Sequence, residues 1–251
     1  MAQAWLIRAS LEQVTGDYAA AARSCARVST LLPGLVATTC TASVASLTGR
    51  LAEARRSLGG ALEEDAAPSV AVEAWSRTAL AEMALRAGDV QSAERELRRV
   101  LSSRRDPYAL AALADLLLDT ERAAEAAELL RDCSTDGLLL RLAEAEAAIG
   151  AAILPVHLAD LRDRFASARA RRDSVHLREE ARFALRLEHD AARTLNLARE
   201  NWSVQREPAD ARLLVEAARA AANPGAAAPV FEFVRHHGTE DAVLAALEIR
   251  Q

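Results

Sequence analysis

The five histidines are the first residues whose chemistry could define a site. They are His157, His176, His189, His236 and His237. A metal site needs ligands that converge at short helical spacing, whereas adjacent residues of a helix point about 100° apart. We therefore interpret His236 and His237 as residues near a helix C-terminus, just before Gly238, where positive charge is favoured. The sequence predicts no metal site.

The three cysteines do not have the spacing of zinc ligands. Cys133 stands alone and is interpreted as a small packing residue, since no paired base accompanies it. Cys25 and Cys40 lie on either side of Pro33-Gly34, so antiparallel helices folded about that turn bring them within roughly one helical turn of the same level. They form either two reduced packing residues or a disulfide, which requires Cα atoms within about 7 Å and an oxidising compartment.

Neighbouring carboxylates occur at 63–65, 179–180 and 240–241. General acid–base catalysis requires carboxylates enclosed in a pocket with shifted pKa values, and we interpret these groups as solvated faces or helix starts. The sequence contains no phosphate-binding Gly-rich loop, no nucleophile elbow and no His-Glu-x-x-His motif. We therefore predict a protein that is not an enzyme and has no cofactor.

One segment of the chain is rich in arginine. Its eight arginines are Arg162, Arg164, Arg169, Arg171, Arg172, Arg178, Arg182 and Arg186. The simpler interpretation is an exposed helix with basic residues at its C-terminal end. The alternative is an anion-binding surface for an acidic partner or a lipid headgroup, which would depend on Arg169, Arg171 and Arg172.

The overall charge and hydropathy limit the partners further. All 31 basic residues are arginine and the net charge is −5, without the basic excess that nucleic-acid binding needs. No apolar run approaches the ~18 residues that span a bilayer, and the N-terminus does not have the pattern of a signal peptide. We expect neither nucleic-acid binding nor membrane insertion.

The elements that would position any site come from a repeated turn. Gly16-Asp17-Tyr18 joins two helical stretches, and similar turns recur near Gly49, Gly88, Glu121, Gly150, His189-Asp190 and Asn223-Pro224. A glycine or asparagine tolerates the left-handed backbone that ends a helix, and the aspartate that follows can cap the next helix. Between the turns, apolar residues recur at helical spacing and no strand pattern is present. The sequence therefore predicts an all-α stack of helix pairs.

The first unit matches the tetratricopeptide repeat pattern over almost its whole length. The matching residues are Trp5, Ala9, Gly16, Asp17, Tyr18, Ala21 and Pro33. The chain resembles that family along nearly its whole length. The resemblance implies a right-handed α-solenoid with repeats at approximately 2–34, 35–68, 74–106, 107–135, 136–173 with an insertion, 174–208 and 209–238, followed by a capping helix at 239–251.

The fifth unit departs from the pattern. Pro155 is expected to open a helix that runs to about Arg172 and is longer than its counterparts. Its buried stripe is expected to consist of Val156, Leu158, Leu161 and Phe165.

The resemblance also suggests a binding surface. First helices of the repeats line the concave side in this family, which points to a protein-interaction scaffold that holds an extended peptide or a partner helix. The side chains expected there are Trp75, Thr78, Glu82, Arg86, Tyr108, Asp115, Asp119, Leu140, Arg141 and Glu144. The two aromatic residues could instead seal gaps between helices. The excess of acids favours a partner with basic and apolar residues.

Other functions remain open at this point. The chain could be an accessory domain of a larger enzyme or secretion assembly, or a carrier of a hydrophobic ligand or glycan in a cavity between units five and six. The stretch from Arg178 to Leu214 resembles the C-terminal part of uncharacterised proteobacterial tetratricopeptide proteins. That resemblance implies export to the periplasm; a cytoplasmic location is the alternative.

Overall fold

The computed structural model describes residues 1–171 and 176–249. Helices joined by short turns make up this part of the chain, and it contains no strand. The predicted all-α fold is therefore confirmed. Among the described helices, none is long and apolar enough to cross a membrane.

The helices within residues 1–171 and 176–249 form seven antiparallel pairs and one final helix. The first helices of the pairs are α1 (Ala2–Val14), α3 (Leu35–Ser46), α5 (Val70–Arg86), α7 (Pro107–Asp119), α9 (Asp136–Ile149), α11 (Leu177–Phe183, continued by a π-helix over Ala184–Glu188) and α13 (Pro208–Ala220). The second helices are α2 (Tyr18–Leu31), α4 (Leu51–Glu64), α6 (Val90–Ser103), α8 (Ala123–Leu130), α10 (Leu154–Ala170), α12 (Ala191–Val204) and α14 (Ala228–His237, after a 3-10 turn over Pro224–Ala227). The last helix is α15 (Ala242–Ile249).

A residue with a left-handed backbone follows each first helix. These residues are Gly16, Gly49, Gly88, Glu121, Gly150, His189 and Ala222. Several second helices then begin at an aspartate cap, as at Asp17, whose carboxylate accepts from the Ala20 N–H at 2.9 Å. Asp89 and Asp190 cap α6 and α12 in the same way. The repeated turn chemistry thus sets where each pair reverses.

Helix α10 is a continuous helix of 17 residues, whereas the other described second helices have 8 to 14. Its expected end at Arg172 lies outside the described residues. Leu161 and Phe165 are buried as predicted, and Leu158 is partly buried. The prediction for Val156 is wrong, since its side chain is 60% exposed. The packed face of α10 runs through Leu154, and Val156, two residues later, points about 200° away from that face.

Apolar clusters follow the stack, and neighbouring units share them. Leu97, Leu113 and Leu117 lie between units three and four. Phe165 and Phe183 lie between units five and six with ring centroids 5.4 Å apart. Each unit therefore buries its apolar face against the next, which is how a solenoid is stabilised.

The solenoid also closes on itself. The Arg206 N–H donates to the carbonyl of Val14 at 2.7 Å, and the Tyr18 hydroxyl donates to the carbonyl of Arg206 at 3.3 Å. The ring of Phe233 packs edge-on against Tyr18 and against Trp202, at 5.6 and 5.5 Å. Units one, six and seven are thus in contact.

Candidate functional site

Acidic side chains recur at one position of the first helices. Six residues before the left-handed turn residue, the chain has Glu82 in unit three, Asp115 in unit four, Glu144 in unit five and Glu216 in unit seven. Equivalent positions of stacked repeats face the same side of the solenoid. We call this series, together with Arg182 of unit six, the concave ladder.

Arg182 joins the ladder because of the π-helix. It lies seven residues before the turn residue His189, one more than in the other units. The π-helix at Ala184–Glu188 lies between the two and accommodates the extra residue, since each of its turns is wider than that of an α-helix. Unit six therefore contributes a cation where its neighbours contribute acids.

Arginines neutralise most of the ladder. The Arg182 guanidinium donates to both carboxylate oxygens of Glu144, at 2.6 and 2.7 Å, and forms an ion pair with Asp115 at 2.7 Å. Arg141 donates to both oxygens of Asp115, at 2.9 and 2.7 Å. Burial alone would raise the pKa of Asp115, but Arg182 and Arg141 hold it below its usual value.

A further pair of arginines on α11 and α13 extends the network. Arg178 donates to Asp210 at 2.5 and 2.8 Å and also pairs with Glu207. Arg212 reaches across the concave side from unit seven to Asp119 of unit four, with a contact of 2.7 Å. This bridge lies near the C-terminal end of α7, whereas the exposed ring of Tyr108 lies at the N-terminal end of that helix.

Glu82 is the exception in the ladder. Within the described parts of the chain, no arginine lies within ion-pair distance of its carboxylate. Its hydrogen bond comes from the Tyr108 hydroxyl, which donates to Oε1 at 2.5 Å. Burial raises the pKa of Glu82, and the Glu82 charge in turn raises that of Tyr108. The charges of Arg86 and Arg178 act on this carboxylate only at a distance and offset its burial in part.

The sequence-predicted groove residues divide into three groups. Trp75 and Tyr108, which occupy equivalent positions of units three and four, are 39% and 60% exposed. The side chains of Asp115, Asp119, Arg141 and Glu144 are engaged in the ion pairs described above. Thr78, Arg86 and Leu140 are buried. The accessible part of the predicted groove is thus formed by Trp75, Tyr108 and the partly exposed Glu82.

Sequence reasoning missed the arginines that complete this surface. Arg178, Arg182 and Arg186 are spaced four residues apart, so one helical face presents all three, but the sequence alone predicts a solvated segment or an anion-binding surface for them. In the structure, Arg182 lies within the ladder instead. Arg169 also has an acidic partner, Glu180.

The remaining part of the arginine-rich segment borders a pocket of about 260 Å³. Asp163, Arg164 and Arg171 are among its lining residues, which are largely polar. Arg172 lies outside the described residues.

Cys25 and Cys40 are joined by a disulfide in the structure, with Cα atoms 5.5 Å apart. Both residues are buried, on α2 and α3 respectively. Cys133 is a free cysteine, and its sulfur accepts a hydrogen bond from Arg105 at 3.3 Å.

His236 and His237 lie at a helix C-terminus, as the sequence predicted. His236 and His237 end α14, and the left-handed Gly238 follows them. His157 is instead paired with Glu146, at 2.8 Å. The described residues contain no group of three or more potential ligands that could hold a metal ion.

The architecture defines an α-solenoid of helix pairs, and comparison with solved structures specifies it further. A tetratricopeptide repeat protein from Parabacteroides merdae ATCC 43184 superposes with a TM-score of 0.54 at 16% sequence identity, covering 98% of this chain and 96% of that chain. Neither a protein-family model nor a curated protein matches the sequence. The chain therefore has the tetratricopeptide repeat fold, as its sequence predicted.

Proposed function

We propose that the chain is a protein-interaction scaffold whose concave face, at units three and four, binds a peptide segment containing a basic residue flanked by apolar ones. Glu82 carries this proposal, as the ladder acid without an arginine partner among the described residues. A basic side chain from a partner would complete the pairing that Arg141 and Arg182 provide for Asp115. The proposal includes no catalytic step.

The two exposed aromatic residues support an apolar contribution to binding. Trp75 lies two helical turns before Glu82 on α5, so both face the same side of that helix, about 10 Å apart along its axis. Tyr108 reaches Glu82 from α7. Exposed aromatic side chains next to an unpaired carboxylate offer both an apolar anchor and a cation–π contact to a lysine or arginine.

Ion pairing elsewhere on the concave face restricts where a peptide binds. Asp115, Glu144 and Asp119 already have arginine partners, and breaking such pairs leaves a desolvated charge. A partner is therefore directed towards the end where α5 and α7 begin, away from the Arg212–Asp119 bridge.

The experiment is a titration with fluorescently labelled peptides in which a central arginine, or a central glutamate, is flanked by leucines. The arginine peptide should bind the parent protein, and the glutamate peptide should not. The Trp75→Ala/Tyr108→Ala double variant should bind the arginine peptide at least about tenfold more weakly, because truncating each of the two interface anchors costs more than about 1 kcal/mol.

Ile153→Ala serves as the matched control, since Ile153 is 47% exposed and lies outside this surface, in the turn before α10. Circular dichroism establishes that each variant is folded. Equal binding of both peptides, or equal affinity of the double variant and the parent, would exclude this surface as the binding site.

A further inference from the structure

The first helix of unit one exposes apolar residues at positions that the next two units bury. These positions lie twelve, nine and five residues before the left-handed turn residue. They hold Ala37, Cys40 and Val44 in unit two and Ser76, Ala79 and Met83 in unit three, and all six residues are buried. In unit one the same positions hold Ala4, Ile7 and Leu11, which are exposed. We call these three residues the stacking stripe.

The equivalent positions of units two and three face the preceding unit. Cys40 is bonded to Cys25 of α2, and the Ser76 hydroxyl lies 2.7 Å from that of Thr39 on α3. Met83 belongs to an apolar cluster with residues of α3 and α4. The stacking stripe is therefore the side of unit one on which another helix would pack, as one does in the units that follow.

The closed solenoid leaves the stacking stripe uncovered. Contacts from units six and seven reach unit one at Val14, Gly16 and Tyr18, beyond the C-terminal end of the stripe. Ile7 is 56% exposed and Leu11 is 62% exposed. Large apolar side chains at positions that other repeats bury indicate an interaction surface.

The opposite end of the stack is already covered. Helix α15 packs Leu244 and Leu247 into the apolar cluster of unit seven. That face is therefore not available to a second copy, and head-to-tail growth through it is blocked. The surface of a second copy that matches the stacking stripe is its own stripe, and a contact between identical surfaces closes as a two-fold dimer.

The spacing of the stacking stripe is complementary to itself. Ala4, Ile7 and Leu11 are three and four residues apart, which is the spacing of the apolar positions of a coiled coil. Two α1 helices packed antiparallel across the stripe, with their centre between residues 7 and 11, place Ile7 of one copy against Leu11 of the other. The symmetry of the dimer repeats this contact.

The charges on α1 do not oppose such a contact. Arg8 and Glu12 are the charged side chains of this helix, and they pair with each other at 2.7 Å. A two-fold contact brings the same groups of both copies near each other, so an unpaired charge beside the stripe would repel its counterpart. The internal pair removes that repulsion.

We propose that the stacking stripe is the contact of an antiparallel, two-fold symmetric dimer of this chain. Three apolar residues from each copy form a small contact, so the association is weak and depends on protein concentration. The proposal rests on unit one and is independent of peptide binding at units three and four.

Sedimentation equilibrium of the full-length chain measures this association, and the parent protein should show a monomer–dimer equilibrium. Ile7→Arg/Leu11→Arg should raise the dissociation constant of the dimer at least about tenfold, because unpaired charges would then lie in the contact. Val156→Arg is the matched control, since Val156 is 60% exposed on α10, and it should leave the dissociation constant unchanged. Circular dichroism establishes that each variant is folded.

Two single variants with opposite charges test the antiparallel arrangement. Ile7→Arg and Leu11→Glu should each dimerise more weakly than the parent. In a mixture of the two, the arginine introduced at position 7 would face the glutamate introduced at position 11, so the heterodimer should be tighter than either homodimer. A mixture without this preference would overturn the antiparallel contact.

A parent protein that remains monomeric at every concentration measured would mean that another protein's helix, or nothing, covers the stripe, and would overturn the proposal. A dimer that Ile7→Arg/Leu11→Arg leaves as tight as the parent's would also overturn it, because the contact would then lie elsewhere.

Discussion

Gly16 lies directly against the ring of Phe233. A Cβ atom built on Gly16 would lie 2.8 Å from the ring Cζ atom, and the glycine has a φ of +83°. The first turn of the chain therefore requires glycine for two reasons, a left-handed backbone and the close approach of unit seven. This contact is part of the closure that surrounds the concave face.

Gly16→Ala should reduce the free energy of unfolding by about 2–4 kcal/mol, through backbone strain and the clash with Phe233. Gly60→Ala is the control, since Gly60 lies within α4 and an added Cβ meets no atom within 4 Å. This control should stabilise the protein by about 0.5–1 kcal/mol. Urea unfolding measures both changes. Equal stability of Gly16→Ala and the parent would contradict the closed arrangement.

Arg182 is expected to matter more for stability than an exposed arginine. Arg182→Met removes the partner of Glu144 and one of two partners of Asp115, and it should cost about 3 kcal/mol because both acids remain desolvated. Arg131→Met is the matched variant: its ion pair with Glu128 is largely solvated, so the cost should be below about 0.5 kcal/mol. Similar losses of unfolding free energy for the two variants in denaturant unfolding would argue against burial of the ion pairs in the concave ladder.

The Cys25–Cys40 bridge closes a loop with a sequence separation of 15. Its removal should reduce stability by about 3 kcal/mol, because a cross-link of this length restricts the unfolded chain. Unfolding in urea with and without dithiothreitol measures the effect, and non-reducing electrophoresis reports the bridge. Reduction that changes neither stability nor mobility would show that the purified protein has no disulfide.

Acid stability should depend on Asp89. Hydrogen bonds from Ser92 and Arg55 lower its pKa from 3.8 to about 2. Because the folded state favours the charged form, this stabilisation is complete above about pH 4 and disappears as the pH falls through about 2.

Asp89→Asn keeps a capping oxygen but loses the ion pair with Arg55. At pH 7 the variant should be less stable by under about 1 kcal/mol, since the pair is partly solvated. Near pH 2 it should match the parent in thermal unfolding. A difference that persists at pH 2 would mean that the charge of Asp89 is not responsible.

The local part of the fold was predictable from the sequence. Residues such as Gly16 and Asp17 specify a left-handed helix end and a cap from their own chemistry, and helical spacing identifies the apolar faces. The turns at Glu121, His189 and Ala222 have left-handed backbones without glycine, yet repeat spacing still located them approximately.

The long-range part was not predictable in this way. Contact between Tyr18 and Phe233 depends on the small rotation that accumulates over seven units, and no short pattern encodes it. The π-helix before His189 accommodates one extra residue, and this places Arg182 in the concave ladder. The sequence of the π-helix resembles that of an ordinary α-helix, so the extra residue could not be recognised from it. The Glu240 carboxylate, which accepts from the Leu51 N–H at the start of α4 at 3.0 Å, likewise joins residues that only the closed solenoid brings together.

The same distinction applies to the candidate site. The acids Glu82, Asp115 and Glu144 were identified because repeat geometry places them on one face. The arginines on α11 and α13 that pair with acids of this face were not identified from the sequence. The predicted acidic groove is therefore largely neutralised in the structure. Glu82 stands out only once the arginine partners of the other acids are known.

Selection from a randomised peptide library on the parent protein and on Glu82→Gln tests the proposed function most directly. The parent should enrich peptides that combine arginine or lysine with apolar residues. Glu82→Gln keeps the shape of the site and an acceptor for the Tyr108 hydroxyl but removes the charge, so its selected peptides should retain the apolar residues and lose the basic one. Identical enrichment on the two proteins, or no preference for basic residues on the parent, would contradict the assignment of Glu82 as the recognition residue.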